Sequence, residues 1–138
     1  MKANDLMVEC WVLFSGEPQW VRSIVISDNG VERIYVFGKT CQVSTIEAYI
    51  EPIPLTAEIL EKNGFVGEGD KFKLWTSADK RVILHNNDEY LNTFNKWHIH
   101  VDTEDMRTIG SIELTYVHQM QQFLRLCGLN ELADNFKI

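Results

Sequence analysis

Hydrophobic and polar residues alternate along the first fifty positions of the chain, and this period of two is typical of a half-buried β-strand. Val, Ile, Trp and Tyr are frequent here, as they are in strands generally. Turn-forming residues interrupt the pattern at residues 15–18, 28–30 and 37–39. The alternation therefore predicts an antiparallel meander, with an SH3-like barrel as one form that it could take. Its four strands are predicted at residues 7–14, 20–27, 32–37 and 42–46.

A connector and a short helix are predicted after this meander. Pro52 and Pro54 lack backbone donors, so residues 51–55 cannot form a central strand. Thr56 is a good N-cap for a helix over residues 57–63. Gly64 follows at the position where a left-handed residue commonly ends a helix.

Strand patterns return after residue 70 and give way to a helix near the end of the chain. The second group of strands is predicted at residues 72–75, 82–85, 90–94 and 97–101, and a polar loop at 102–107. Apolar residues then recur every three or four positions from Val117 to Cys127, which predicts an amphipathic helix with Thr115 as its N-cap. Gly128 is expected to end it, and residues 129–136 predict a short closing helix.

These elements predict an α+β fold in a single domain covering residues 1–138, a common size for one domain. The fold consists of an N-terminal antiparallel meander, a short helix, a second antiparallel meander and a C-terminal amphipathic helix. The expected sub-regions are a β region at 1–50, a connector and short helix at 51–69, a β meander at 70–102 and a C-terminal helical region at 103–138.

The chain is acidic, with 20 Asp and Glu against 13 Lys and Arg and a formal net charge of -7. This charge makes nucleic acid an unlikely partner, because affinity for nucleic acid comes largely from Lys and Arg that displace counterions. A local basic group at Lys71, Lys73, Lys80 and Arg81 is expected to be a solvated hairpin edge. Binding of nucleic acid through these four residues is the alternative.

Cysteine spacing and hydropathy indicate the compartment. The 3 Cys lack CxxC spacing, so neither a disulfide framework nor a zinc knuckle is indicated, and a cytoplasmic location is expected. No apolar run approaches the roughly 18 residues of a membrane span, so no membrane association is expected.

Two segments carry a resemblance to a known group of proteins. Residues 52–65 read PIPLTAEILEKNGF, and residues 116–123 read YVHQMQQF. This pair resembles a family of small uncharacterised proteins encoded in prophages and mobile elements of gut anaerobes, in which a PIPLT-EIL-K-GF segment precedes a β region and a C-terminal YVH-LQ helix. Met120 stands where such relatives often have Leu, a volume-conserving difference. The resemblance implies a genomic setting and no particular chemistry, and both segments are also explained as a helix cap and an apolar helix stripe.

One short strand segment carries possible metal ligands. On a strand, His98, His100 and Asp102 point to the same face, where two imidazoles and a carboxylate could hold zinc or iron. The alternative is that they are the solvated side of a strand whose other side is buried. No nucleophile elbow, phosphate-binding loop or dinucleotide fingerprint is present, so an enzyme is not favoured and no cofactor is expected.

Aromatic residues are the remaining candidates for binding. Trp11, Trp20, Trp75 and Trp97 all lie on predicted strands, where they either form an interaction surface or fill the core. Tyr116 and His118 are further candidates at the start of the C-terminal helix, where a structural hydrogen bond is the alternative role for His118.

The sequence thus predicts a phage or mobile-element accessory protein that acts by protein contact, with a protein partner or by self-association. The alternative is a small metal-dependent enzyme that uses His98, His100 and Asp102.

Overall fold

The computed structural model of the chain describes residues 9–27, 30–37, 42–45, 49–86 and 96–138. Within these residues the chain forms two antiparallel sheets of five strands each and three short helices, which confirms the predicted α+β class with meanders. The strands are β1 (Trp11–Phe14), β2 (Glu17–Ser27), β3 (Gly30–Phe37), β4 (Gln42–Thr45), β5 (Ile50–Glu51), β6 (Val66–Glu68), β7 (Lys71–Trp75), β8 (Arg81–Asn86), β9 (Trp97–Asp102) and β10 (Thr108–Leu114). The helices are α1 (Ala57–Lys62), α2 (Val117–Leu126) and α3 (Asn130–Asp134).

The first sheet has the strand order β4-β3-β2-β1-β5. The turn between β1 and β2 is shorter than predicted, because Phe14 already pairs with Glu17 and only Ser15 and Gly16, both at positive φ, connect the strands. Pro18 is tolerated within β2 because the pairing of β2 with β3 begins only at Trp20. An SH3-like barrel is not confirmed by this sheet.

Several predicted features of the first sheet differ from the structure or fall outside the described residues. Strand β5 was not predicted. Glu51 was expected in the connector, but it belongs to this strand and pairs with Leu13. The predicted strand start at residues 7–8, the turn residues 28–29 and 38–39, and residue 46 lie outside the described residues.

The core of the first sheet is a compact apolar group drawn from four of its strands and the residue before β1. Its fully buried members are Cys10, Val12, Val21, Ile34, Val36 and Ile50. A polar contact accompanies this core: the backbone N–H of Trp11 donates to the side-chain oxygen of fully buried Gln121 at 2.9 Å. A buried amide of this kind is stable only where its polar atoms find partners.

The second sheet has the order β10-β9-β8-β7-β6. Two of its strands, β6 and β10, were not predicted, and β10 lies in the region that was expected to be helical. The predicted strand at residues 90–94 lies outside the described residues. The other three strands were predicted to within one or two residues at each end.

The helix ends follow local capping rules. The Thr56 hydroxyl accepts a hydrogen bond from the Ile59 N–H at 3.3 Å, which confirms the predicted N-cap of α1. Gly64 and Gly128 both have positive φ and follow α1 and α2, as predicted. The predicted N-cap of α2 was one residue early. Helix α2 begins at Val117, and the side chain of Gln119 reaches back to accept from the Tyr116 N–H at 3.0 Å.

One side of the second sheet is mostly apolar and largely buried. Trp97, Ile99 and Val101 of β9 are buried, and the Trp97 indole donates to the Leu55 carbonyl at 2.9 Å. The packing is close at Gly110 of β10. A Cβ atom there would lie 3.0 Å from the Cys127 sulfur and 3.1 Å from the Phe123 ring. A side chain at position 110 would therefore require Cys127 and Phe123 to move by a few tenths of an ångström.

The chain divides into two compact units, Met1–Ile53 with Tyr116–Gln122, and Pro54–Thr115 with Phe123–Ile138. The single-domain hypothesis is not tested by this division and stays a prediction. Of the helices in the described ranges, none combines the length and the apolar character that crossing a membrane would require.

The contrast between two tryptophans gives a test of the packing. Trp97→Phe removes the donor to the Leu55 carbonyl inside the core, and we expect it to lower the free energy of unfolding by about 1–3 kcal/mol. Trp75 is 57% exposed, so Trp75→Phe should change it by less than about 0.5 kcal/mol. Urea unfolding followed by circular dichroism measures both, and equal effects would contradict the assignment of Trp97 to the core.

Candidate functional site

The two faces of the second sheet differ in composition because neighbouring residues of a strand point to opposite sides. The register aligns residues of one side in rows that run across β7, β8, β9 and β10. We call this side the histidine face. Its three rows are Trp75, Arg81, Asp102 and Thr108; Lys73, Ile83, His100 and Ser111; and Lys71, His85, His98 and Glu113.

Three of the four histidines of the chain meet on the histidine face. His85 lies directly opposite His98, and its ring stacks on that of His100 with centroids 5.5 Å apart and planes inclined by 23°. The ring centroids of His98 and His100 are 6.4 Å apart. The Nε2 atom of His98 is also hydrogen-bonded to the Ser111 hydroxyl at 2.8 Å. His98 and His100 were expected on one face, whereas His85 was not recognised as their neighbour.

Asp102 is the most buried charged group of this face, with 5% of its surface exposed. Its two carboxylate oxygens accept from the Thr108 hydroxyl at 2.8 Å and from Arg81 Nη2 at 3.1 Å. The Nε2 atom of His100 lies 3.6 Å from the same carboxylate. Burial raises the pKa of Asp102, but the hydrogen bonds from Thr108 and Arg81 and the nearby positive charges outweigh it, so the pKa lies below its ordinary value.

His85 has an environment that favours its neutral form. Burial lowers the pKa of His85, and the charges of Lys71, His100 and His98 lower it further, while Asp70 acts in the opposite direction. The histidine face thus holds one imidazole neutral to lower pH than usual and, two rows away, a carboxylate that stays ionised to lower pH than usual.

At one end of the histidine face, Arg81 contacts the exposed side chains of Trp75 and Met106. We call these three residues the Trp75 patch. The Arg81 guanidinium lies 5.6 Å from the centroid of the Trp75 ring, and its Nη2 atom is 3.4 Å from the Met106 sulfur. Trp75 is 57% exposed and Met106 is 61% exposed. A cation over an aromatic ring holds that ring in place although water reaches it.

An open cavity of about 370 Å³ lies beside Trp75. Its apolar wall is formed by Leu74, Ala78, Leu129 and Leu132, and its rim is polar. The Lys80 ammonium donates to the Cys127 carbonyl at 2.8 Å and so connects the β7–β8 hairpin to the segment after α2, in which Gly128 and Leu129 line this cavity.

The remaining aromatic candidates lie elsewhere. Trp11 and Trp20 are half-buried and pack edge to face, with centroids 5.1 Å apart. Trp97 is 2% exposed and belongs to the core. Tyr116 stacks on His118 with centroids 5.8 Å apart, and His118 is buried. Of the four tryptophans that were candidates for binding, the structure thus places Trp75 alone on an exposed surface.

The basic residues around the β7–β8 hairpin are mostly engaged. Lys73 pairs with Glu68 at 3.1 Å, Arg81 pairs with Asp102, and Lys80 donates to a backbone carbonyl. Three of the four cations that could contact phosphates therefore already have partners.

Within the described ranges, no group of three or more His, Cys, Asp or Glu side chains is arranged to hold a metal ion. The predicted set of His98, His100 and Asp102 does lie on one face, but Asp102 is held by Arg81 and Thr108. A metal-dependent activity of this set stays a prediction.

Comparison of the chain with protein-family models, with curated proteins and with solved structures found no match in any of the three.

The buried carboxylate gives a pH-dependent prediction. A folded pKa below the unfolded one means that ionised Asp102 stabilises the fold above pH 3.8 and that this stabilisation is lost as pH falls through the folded pKa. Asp102→Asn should lower the free energy of unfolding by about 1–3 kcal/mol at pH 7. Urea unfolding at several pH values should show the gap between the two proteins narrowing below pH 3.8. A gap that stays constant down to pH 2 would contradict the assignment.

His85 gives a second pH-dependent prediction, of the same direction but in a higher pH range. Because its folded pKa is lowered, the unfolded chain binds a proton first, and the protein loses stability as pH falls below 6.5. His85→Gln should reduce this loss between pH 7.5 and pH 5, as measured by urea unfolding. Asp102→Asn serves as the control, because the Asp102 carboxyl that it removes titrates below this pH range. An unchanged pH dependence in His85→Gln would contradict the prediction.

Proposed function

We propose that this protein binds a protein partner through the Trp75 patch. The single observation that carries the proposal is the 57% exposure of a tryptophan whose ring is fixed by a guanidinium 5.6 Å from its centroid. Exposing an indole to water has a cost, which contact with a partner removes. Trp, Arg and Met are all enriched at protein interfaces, and Trp and Arg dominate their energetic centres.

The surroundings of Trp75 support a partner of defined chemistry. The apolar wall of the adjacent cavity fits an apolar side chain, and the polar rim formed by Thr76, Ser77, Asn130 and Asn135 can pair with backbone groups around it. We therefore propose a partner segment that inserts one apolar side chain beside Trp75. Because Arg81 is held by Asp102, it enters the interface already ordered, which lowers the entropic cost of binding.

The setting of this activity is proposed on separate grounds. The resemblance of residues 52–65 and 116–123 supports an accessory protein of a phage or mobile element. Cys10 and Cys127 are buried and not in disulfides, which supports a reducing, cytoplasmic location. A second copy of the chain is one possible partner, and the experiment below separates it from other proteins.

Capture of partners with matched variants tests the proposal. The wild-type chain, Trp75→Ala and Leu126→Ala are each used as bait in lysate of cells that carry the gene. Leu126 is 87% exposed and lies on α2, so it controls for the loss of an exposed apolar side chain. We expect Trp75→Ala to lose a captured protein that both other baits retain, with a binding constant weakened at least about tenfold.

Two additional measurements complete the test. Cross-linking mass spectrometry should place the captured protein near Lys80, and size-exclusion chromatography with light scattering should report any self-association. A strictly monomeric protein whose captured proteins are the same with and without Trp75 would overturn the proposal. Circular dichroism of each variant shows whether the fold is retained.

A further inference from the structure

We propose that His85, His98 and His100 form a binding site for a divalent transition-metal ion of the zinc type. The site differs from the set predicted from the sequence, because His85 of β8 replaces Asp102 as the third ligand. It is also independent of the Trp75 patch.

The backbone places the three imidazoles at suitable positions. His98 and His100 are two residues apart on β9 and share a face, and His85 is directly opposite His98 on the neighbouring strand. Side chains at directly opposed positions start about 5 Å apart at Cβ. Two imidazoles that bind one tetrahedral ion at about 2.1 Å have ring centroids roughly 5–6 Å apart. The observed centroid separations are 5.5 Å for His85 and His100 and 6.4 Å for His98 and His100.

The rings are not turned toward a common point in this structure, so binding requires rotation of the side chains. The χ2 torsion of histidine is broad, and its rotation leaves the strands in place. An ion that enters would separate the stacked rings of His85 and His100. It would also replace the Ser111 hydroxyl as the partner of His98 Nε2.

A carboxylate supports one of the three proposed ligands. Asp102 lies behind His100, with its carboxylate 3.6 Å from Nε2, which leaves Nδ1 for the ion. A carboxylate behind a ligating histidine fixes the ring and strengthens its bond to the metal. A water molecule would complete the tetrahedron around the ion.

Zinc titration of the full chain, purified without a histidine tag and stripped with a chelator, tests the site. Isothermal titration calorimetry with ZnCl₂ at pH 7.5 should show one equivalent bound with a micromolar or lower Kd. Each of His85→Gln, His98→Gln and His100→Gln should weaken it at least about tenfold. Co²⁺ should give the visible absorption of a tetrahedral ion in the wild-type protein and not in these variants.

Three control variants show whether the imidazoles themselves hold the ion. Lys71→Gln leaves all three imidazoles and removes a neighbouring positive charge, so it should bind zinc at least as tightly as the wild type. Ser111→Ala should do the same, because it removes the competitor for His98. Asp102→Asn should weaken zinc binding less than His85→Gln does.

Two results would overturn the inference. Absence of zinc binding to the folded wild-type protein would do so, and so would wild-type affinity in His85→Gln. Neither result would bear on the Trp75 patch, because the capture experiment needs no metal. Circular dichroism again confirms that each variant is folded.

Discussion

The pairing of β8 with β9 sets the chemistry of the second sheet. Because this register is antiparallel and unbroken from Arg81–Asp102 to Asn86–Trp97, alternate residues of both strands sort onto opposite sides together. One side receives Leu84 and Ile99, which are fully buried, and the other receives the imidazoles and the Arg81–Asp102 pair. A slip of one residue would bury the charges and expose the apolar side chains. The apolar core and the histidine face are therefore two results of one pairing.

Features that depend on a few neighbouring residues could be predicted from the sequence. Thr56, Gly64 and Gly128 end or begin helices through contacts within one turn, and the structure has all three as expected. Strands β2 and β3 pair up to Ser27 opposite Gly30, and Asp28 and Asn29 of the turn predicted between them lie outside the described residues. Tertiary packing does not have to be known for any of these features.

Strand β10 and the third histidine could not be predicted in this way, for physical reasons. A register shift between Thr108 and Gly110 breaks the alternation of β10, and Leu114 is its one buried residue, so no period of two is visible. His85 and His98 are separated by twelve residues, and their proximity depends on the exact register of two strands. The orientation of the tryptophans could not be predicted either, because strand periodicity alone does not show which side of a sheet is packed.

The absent side chain at Gly110 sets how closely the last turn of α2 and the residue after it approach β10. Phe123 and Cys127 rest directly on that backbone, and the carbonyl of Cys127 holds Lys80 of the hairpin that ends β7 at Trp75. A methyl group at position 110 would require Phe123 and Cys127 to move by a few tenths of an ångström, and Cys127 is the hydrogen-bond partner of Lys80 in that hairpin. Evolutionary drift at an inconspicuous glycine could thus alter the position of the hairpin that carries Trp75.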